Sequence, residues 1–237
     1  MNLHRQVTTT AVLLMLFAAT GAALVGLTHD TTADTILHNE KLTLLRKLNT
    51  LVPADKYDND LLDDTIKVAA NDLLGTSDVS TVYRARKQDQ PVAVVLSPVA
   101  PGGYNGSIEL LVGIYADGTL AGVRVVKHRE TPGLGDAVEV SRSDWILGFT
   151  GKSLNNPAEK RWKVKRDGGD FDQFTGATIT PRAVVKAVHT ALVYFDKHQK
   201  MLFARIEPAT NKTTANKPAD TAPTDTTVIP QTPEHGS

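Results

Sequence analysis

Hydrophobic and polar positions change their rhythm several times along the chain. From Gln6 to Thr28, "QVTTTAVLLMLFAATGAALVGLT" contains no charged residue. At about 1.5 Å per residue, a helix of this length crosses a bilayer. Residues 33–52 follow, with Ile36, Leu37, Leu42, Leu45, Leu48 and Leu51 at roughly helical spacing and Pro53 after them. This predicts an amphipathic helix. A second, shorter helical piece is expected over about 58–74.

The period then shifts toward two. "STVYRA" and "PVAVVLS", separated by a polar turn at 86–90, read as strands. The clearest hairpin is "SIELLVGIYADGTLAGVRVVKH". Val112, Ile114, Val123 and Val125 lie on its strands, and Asp117-Gly118 suits its turn. The loop "HRETPGLGD" comes next, then a helical or irregular piece through residue 150. "KRWKVKRDGGD" reads as a basic strand-like run with a Gly-Gly turn. A helix is expected from Pro181 to about Arg205, its apolar face formed by Val184, Val185, Val188, Leu192 and Phe195. A small antiparallel sheet flanked by helices is an α+β fold. From Glu207 the chain is rich in Thr, Pro, Ala and Asp, which predicts a disordered tail.

Composition narrows the chemistry. Basic and acidic residues balance at 26 each, so no global charge points to nucleic acid. Cysteine is absent, which removes disulfides, cysteine-bound clusters and a lipidated N-terminal cysteine. The seven histidines lack metal-ligand spacing, and no metal site is expected. Redox chemistry in such a chain must come from an organic cofactor. Arg5 precedes the apolar run and Asp30 and Asp34 follow it. The positive-inside rule then puts residues 1–7 in the cytoplasm, an anchor over 8–28, and a single domain over 29–206 outside, in the bacterial periplasm, before a tail at 207–237. The rival reading is a cleaved signal peptide with small residues near "ATGAA".

Two short stretches carry candidate chemistry. "TGATITP", Thr175 to Pro181, precedes the last helix. Thr180 is expected as its N-cap and Pro181 in its first turn. Backbone N–H groups there point outward at the positive end of the dipole, a place that suits phosphate. Gly176 lets a ligand approach the backbone and Ala177 leaves room. Read from composition alone, this is also an ordinary capped helix preceded by a turn. The second stretch, "HRETPGLG" at 128–135, combines Pro132 with two glycines in a tight loop after a strand. A strand-end histidine such as His128 more often packs than ligates.

Asp172 to Thr178, "DQFTGAT", matches the pattern Asp-x-x-(Ser/Thr)-Gly-Ala-Thr. That pattern marks proteins carrying FMN through a phosphodiester on the final threonine. With the apolar N-terminus, the hairpin and "HRETPGLGD" in the same order, residues 1–205 resemble the RnfG/RsxG family of the Rnf/Rsx ion-translocating electron transport complex. They are more distantly similar to the C subunit of the sodium-pumping NADH:quinone reductase.

The resemblance implies a bacterial inner-membrane protein with a periplasmic FMN-binding domain that relays electrons from reduced ferredoxin or NADH through the complex. It implies Thr178 as the covalent attachment residue, approached by Thr175, Gly176 and Ala177, with Thr180 beside it. It implies that Glu130, Thr131, Gly133, Leu134 and Gly135 line the flavin pocket, with Leu134 over a face of the ring. Asp172 would belong to a signature read by a separate flavin transferase using FAD and Mg²⁺. The basic run Lys160–Arg166 either offsets the phosphodiester charge or is a solvated face. The chain by itself is read as a carrier; the other complex subunits are its partners. Two rival functions are a membrane-anchored assembly or binding subunit without a redox cofactor, and a reductase holding its flavin non-covalently.

Overall fold

The computed structural model describes residues 3–204 of the chain; the expected tail at 207–237 lies outside them. Helix α1 runs without a break from Leu3 to Leu51, about 73 Å at 1.5 Å per residue. The uncharged run and the amphipathic helix expected over 33–52 are therefore one element. It is the one helix among the described residues long and apolar enough to cross a membrane, and its apolar window is wholly unburied. Packing begins only at its end, where Leu44 and Leu45 are half-buried and Leu48 and Leu51 are buried.

A wholly antiparallel sheet follows: β1 (Thr65–Val68), β2 (Ser80–Lys87), β3 (Gln90–Leu96), β4 (Val99–Gly103), β5 (Gly106–Tyr115) and β6 (Leu120–Lys127). Strand β3 pairs with the second half of β5 and β4 with the first half, in one continuous register (Leu96↔Val112, then Val99↔Glu109). They are two halves of one strand interrupted at Ser97-Pro98. The bond from Leu110 N–H to Pro98 O carries the ladder across the gap. Strand β6 takes the opposite edge of β5, so β5 is paired along both edges and lies one place in from the sheet's edge. It is accordingly buried on both faces and reads as a nearly unbroken apolar run.

One face of the sheet carries Ile108, Leu110, Val112 and Ile114 and packs against helix α2 (Ile179–Phe203) through Val184, Val185, Val188, Leu192 and Phe195. The apolar face expected for that helix is the face it buries. The other sheet face, with Ala85, Ala93, Val95 and Leu111, receives the end of α1.

Two expected elements are absent. Residues 58–74 are not helical: Thr65–Val68 pairs with β2 as an edge strand, and Asp72–Leu74 forms one 3-10 turn capped by Asn71. Strand β2 would otherwise leave its edge unpaired, and this pairing outweighs a weak helical pattern. Nor is 160–170 a strand. It forms two 3-10 turns, Glu159–Arg161 and Lys165–Asp167, and doubles back so that Val164 bridges Phe171. Trp162 and Val164 point inward and their neighbours outward, a strand-like alternation without a partner strand.

Between β6 and α2 the long irregular segment is held in place by aromatic rings. Trp145 meets Phe149 and Phe174 edge-on at 5.3 and 5.1 Å, and Phe149 stacks on Phe171 at 4.7 Å. Both tryptophans of the chain belong to this cluster. Such contacts replace the backbone ladders that this segment lacks.

Candidate functional site

The segment before α2 starts from Phe174, which the aromatic cluster holds. Trp145 Nε1 donates to the carbonyl of Asp172 at 2.8 Å, fixing the backbone at the motif's first residue. Ala177 N–H then donates to Phe174 O, closing a turn over Thr175 and Gly176. Gly176 has φ +80°, the left-handed conformation such a turn needs at its third residue. The chain leaves this turn directly into the helix.

The loop after β6 is built the same way. Thr131-Pro132-Gly133-Leu134 is a tight turn, with Leu134 N–H donating to Thr131 O and Gly133 at φ +78°. Gly135 and Asp136 N–H converge on the same carbonyl. His128 anchors the loop from below. Its Nδ1 accepts from Glu130 N–H at 3.0 Å, so Nε2 carries the proton and donates to Glu139 Oε1 at 2.8 Å. That hydrogen bond holds the Glu139 carboxyl below the usual carboxylate range. His128 is thus a satisfied structural residue.

The two loops meet. A Cβ placed on Gly176 would stand 3.5 Å from Leu134 Cδ2, ordinary contact distance. Between them opens a cleft of about 360 Å³ lined by Glu130, Thr131, Leu134, Gly135, Gly176, Ala177, Thr178 and Thr180, together with Tyr104 and Ile179. Eight residues singled out in the sequence therefore share one cleft wall. Thr175 and Gly133 sit on the exposed outer side of their turns, outside the lining. Leu134 and Ile179 are 44% and 45% exposed, apolar groups standing at the mouth.

Thr180 is not the cap that the sequence pattern suggests. The helix begins at Ile179, so Thr180 is its second residue and Pro181 its third. The flanking position is Thr178, whose side chain caps no amide. Thr180 is fully buried and its hydroxyl donates to Glu130 Oε2. Glu130 in turn is 5% exposed. Its Oε1 accepts from Asn105 N–H at 3.1 Å and its Oε2 from Tyr104 N–H at 3.3 Å. Tyr104 and Ile179 went unflagged by sequence reading. The available signal was "GGYNG", a turn-forming run at the end of an apolar strand.

One residue of the basic run reaches the motif, and another pairs just before it, Arg161 with Asp170. Lys165 pairs with Asp172 at 2.6 Å, and Arg182 grips Asp167 with two bonds of 2.6 Å. Among the described residues, no three histidine or carboxylate side chains gather as a metal site.

The end of the sheet that carries the cleft is also the end from which α1 emerges. Leu51 sits over Gly113 and Gly122, while Lys47 donates to Val126 O near the end of β6. Traced backward, α1 leaves the domain past the ends of β5 and β6 where the β4–β5 turn and the 128–135 loop lie.

Residues 103–193 match the FMN-binding domain family, a span that contains every residue lining the cleft. Residues 1–51 match the RnfG N-terminal region and end where α1 ends. The chain is 49% identical over 206 residues to the G subunit of the ion-translocating oxidoreductase complex of Pseudomonas aeruginosa, covering 87% of this chain and 96% of that protein. The chain belongs to the RnfG family. A second relative of the same description, from Vibrio atlanticus, is 46% identical over 192 residues, covering 81% of this chain and 91% of its own length. A third, from Shewanella loihica, is 45% identical over 203 residues, at 86% and 96% coverage. The N-terminal match and the FMN-binding match thus fall on separate structural parts of one RnfG chain: the long helix, and the cleft with the sheet end that frames it.

Proposed function

We propose that this chain is the electron-carrying subunit of a membrane-bound ion-translocating oxidoreductase complex, with FMN joined by a phosphodiester to Oγ1 of Thr178. The observation that carries this reading is the position of Thr178. Its half-buried side chain lines the cleft at the start of α2 and is spent on no helix cap. The first N–H groups of a helix have no partners within it, and they lie at the positive end of its dipole. A phosphate on Thr178 would meet both. Leu134, Ile179 and Ala177 offer the apolar surface that a flat ring needs, and glycines on either side bring the backbone close. These residues fit an FMN.

Bound FMN supplies one- and two-electron transfer. The chain's own residues hold it in place and shield it. Leu134 and Ile179 keep water from the mouth, and Thr131 offers a polar edge. Of the lining residues only Glu130 and Tyr104 are ionisable, and the Glu130 carboxylate already accepts three donors. A threonine hydroxyl without a base is a weak nucleophile. This supports attachment by a separate flavin transferase reading the 172–178 stretch. In that step the Thr178 oxygen bonds to the FMN phosphorus of FAD, the diphosphate bridge breaks, and AMP leaves. The hydroxyl proton passes to a base of the transferase, whose Mg²⁺ offsets the diphosphate charge.

The helix α1 is read as a single-pass anchor in the inner membrane, N-terminus in the cytoplasm and domain in the periplasm. Residues 29–43 then form a stem of about 22 Å between the bilayer and the first packed turn. Because α1 emerges at the cleft end of the sheet, the cleft faces the membrane side, where the other subunits of the complex lie.

Intact-mass measurement on chain co-expressed with a flavin transferase tests the reading. Wild type gains the mass of FMN less one water, an increment that survives acid precipitation, and Thr178→Ala gains none. A wild-type chain without added mass, or one whose flavin is released by acid, refutes covalent attachment.

A further inference from the structure

Helix α2 has Pro181 in its first turn, but that turn contains no acidic residue, and its flanking threonine makes no capping bond. The negative charge at this end comes instead from Glu130, which lies 50 residues earlier in the chain and receives the Thr180 hydroxyl. The same carboxylate accepts the backbone N–H groups of Tyr104 and Asn105. One buried side chain thus ties together the β4–β5 turn, the loop after β6 and the first turn of α2.

The fit around it is close. A Cβ on Gly103 would stand 2.8 Å from Glu130 Oε1, and one on Gly135 would stand 2.7 Å from Oε2 and 2.9 Å from Thr180 Oγ1. Backbone therefore presses on the carboxylate from both sides, and neither oxygen is left to swing. The Glu130 backbone is held as well, through its N–H bond to His128.

Helical residues advance by about 100° each. Directing Thr180 inward onto Glu130 therefore sets the rotation of the whole first turn, and Thr178, two positions earlier, is turned away from the core. We propose that the Glu130–Thr180 pair is a positioning latch. It presents the Thr178 hydroxyl to the modifying enzyme from within the cleft that both residues line. The proposal rests on reading Thr178 as the attachment residue. Acting through geometry, the latch governs how fast a correctly bound chain reacts and leaves recognition of the 172–178 stretch alone.

The test uses the full chain purified without flavin, then labelled by added flavin transferase with FAD and Mg²⁺. Intact mass follows the labelled fraction, and amide hydrogen exchange is recorded on the unlabelled chain. Thr180→Val keeps the shape and removes the donor. Its kcat for labelling falls by about tenfold or more, the effect of a small misplacement of a reacting group. KM for the chain stays within about twofold, because recognition is untouched. Thr180→Ser restores the rate. Exchange at the Tyr104 and Asn105 amides speeds up in the valine variant only.

If the valine variant does not fold, Glu130→Gln takes its place, since its amide turns a donor toward a donor. Wild-type kcat in the valine variant, a serine variant as slow as valine, or unchanged exchange at Tyr104 and Asn105 overturns the latch. A wild-type chain that takes up no flavin overturns the attachment reading instead, and the exchange arm alone then decides the latch.

Discussion

Gly133 and Gly135 lie two residues apart in one loop and answer to different constraints. Gly133 has φ +78° with open space where a side chain would be, so its requirement is conformational. Alanine there costs about 1 kcal/mol of backbone strain. Gly135 has no such φ, yet a Cβ would stand 2.7 Å from a buried carboxylate oxygen that cannot move. Gly135→Ala is expected to cost about 1–3 kcal/mol from overpacking, with the latch bonds strained as well. Thermal melts of the two variants check this. A Gly135→Ala cost well below about 1 kcal/mol would mean that the Glu130 carboxylate moves aside freely. The "TPG" turn was legible because Pro and Gly set it locally. The demand for glycine at 135 was not, since it arises from the Glu130 side chain folding back over the loop onto Thr180, a contact that only the tertiary structure makes.

Among the elements, the segment from 128 to 178 has only short turns of its own, and its order depends on what it packs against. Trp162 packs its ring, tilted, against Phe171 at 5.1 Å and against His189 of α2 at 5.5 Å. Burial pushes the His189 imidazole below its usual 6.5, against a smaller opposing pull from Glu159. Its buried Nε2 has no hydrogen-bond partner. The unfolded chain therefore takes up a proton at a higher pH than the folded one. The stability held by the neutral ring is full above about pH 6.5 and falls as the pH drops through the folded value. Replacing it by phenylalanine, which keeps the ring contact with Trp162, should flatten the melting temperature between about pH 7 and 5. A variant that keeps the wild-type slope would show that another group causes the acid sensitivity. The expected strand at 160–170 failed at this scale. Its alternation of buried and exposed residues is real, but burial against aromatic rings produces the same pattern as burial in a sheet.

For the molecule as a whole, the decisive dimension is α1. Deleting residues 35–41 removes seven residues, about two turns, so the helix phase is nearly kept while the stem shortens by about 10 Å. Flavin attachment by soluble transferase should be unaffected, since the cleft lies beyond the deletion. Reduction of the bound flavin in native membranes should slow markedly, because the cleft no longer stands at the height of its partner. Unchanged reduction kinetics in the shortened chain would mean that the stem sets no working distance.

Near neighbours along the chain decide everything that could be read in advance. The uncharged run and the helix after it, the Asp117-Gly118 hairpin, the Pro132-Gly133 turn, and the "TGAT" stretch before α2 all follow from preferences within a few residues. The two loops stood out by their turn residues, and the family resemblance is what marked them as flavin-site candidates. Packing between distant segments made β3 and β4 halves of one strand, put 65–68 at the sheet's edge, and bonded Thr180 to Glu130 instead of leaving it to cap its own helix. Those outcomes depend on which distant group arrives with an unsatisfied donor or acceptor. A buried carboxylate must find donors wherever the fold supplies them. In this chain they come from a turn at 104–105 and a helix at 180, and nothing in the residues beside Glu130 announces either one.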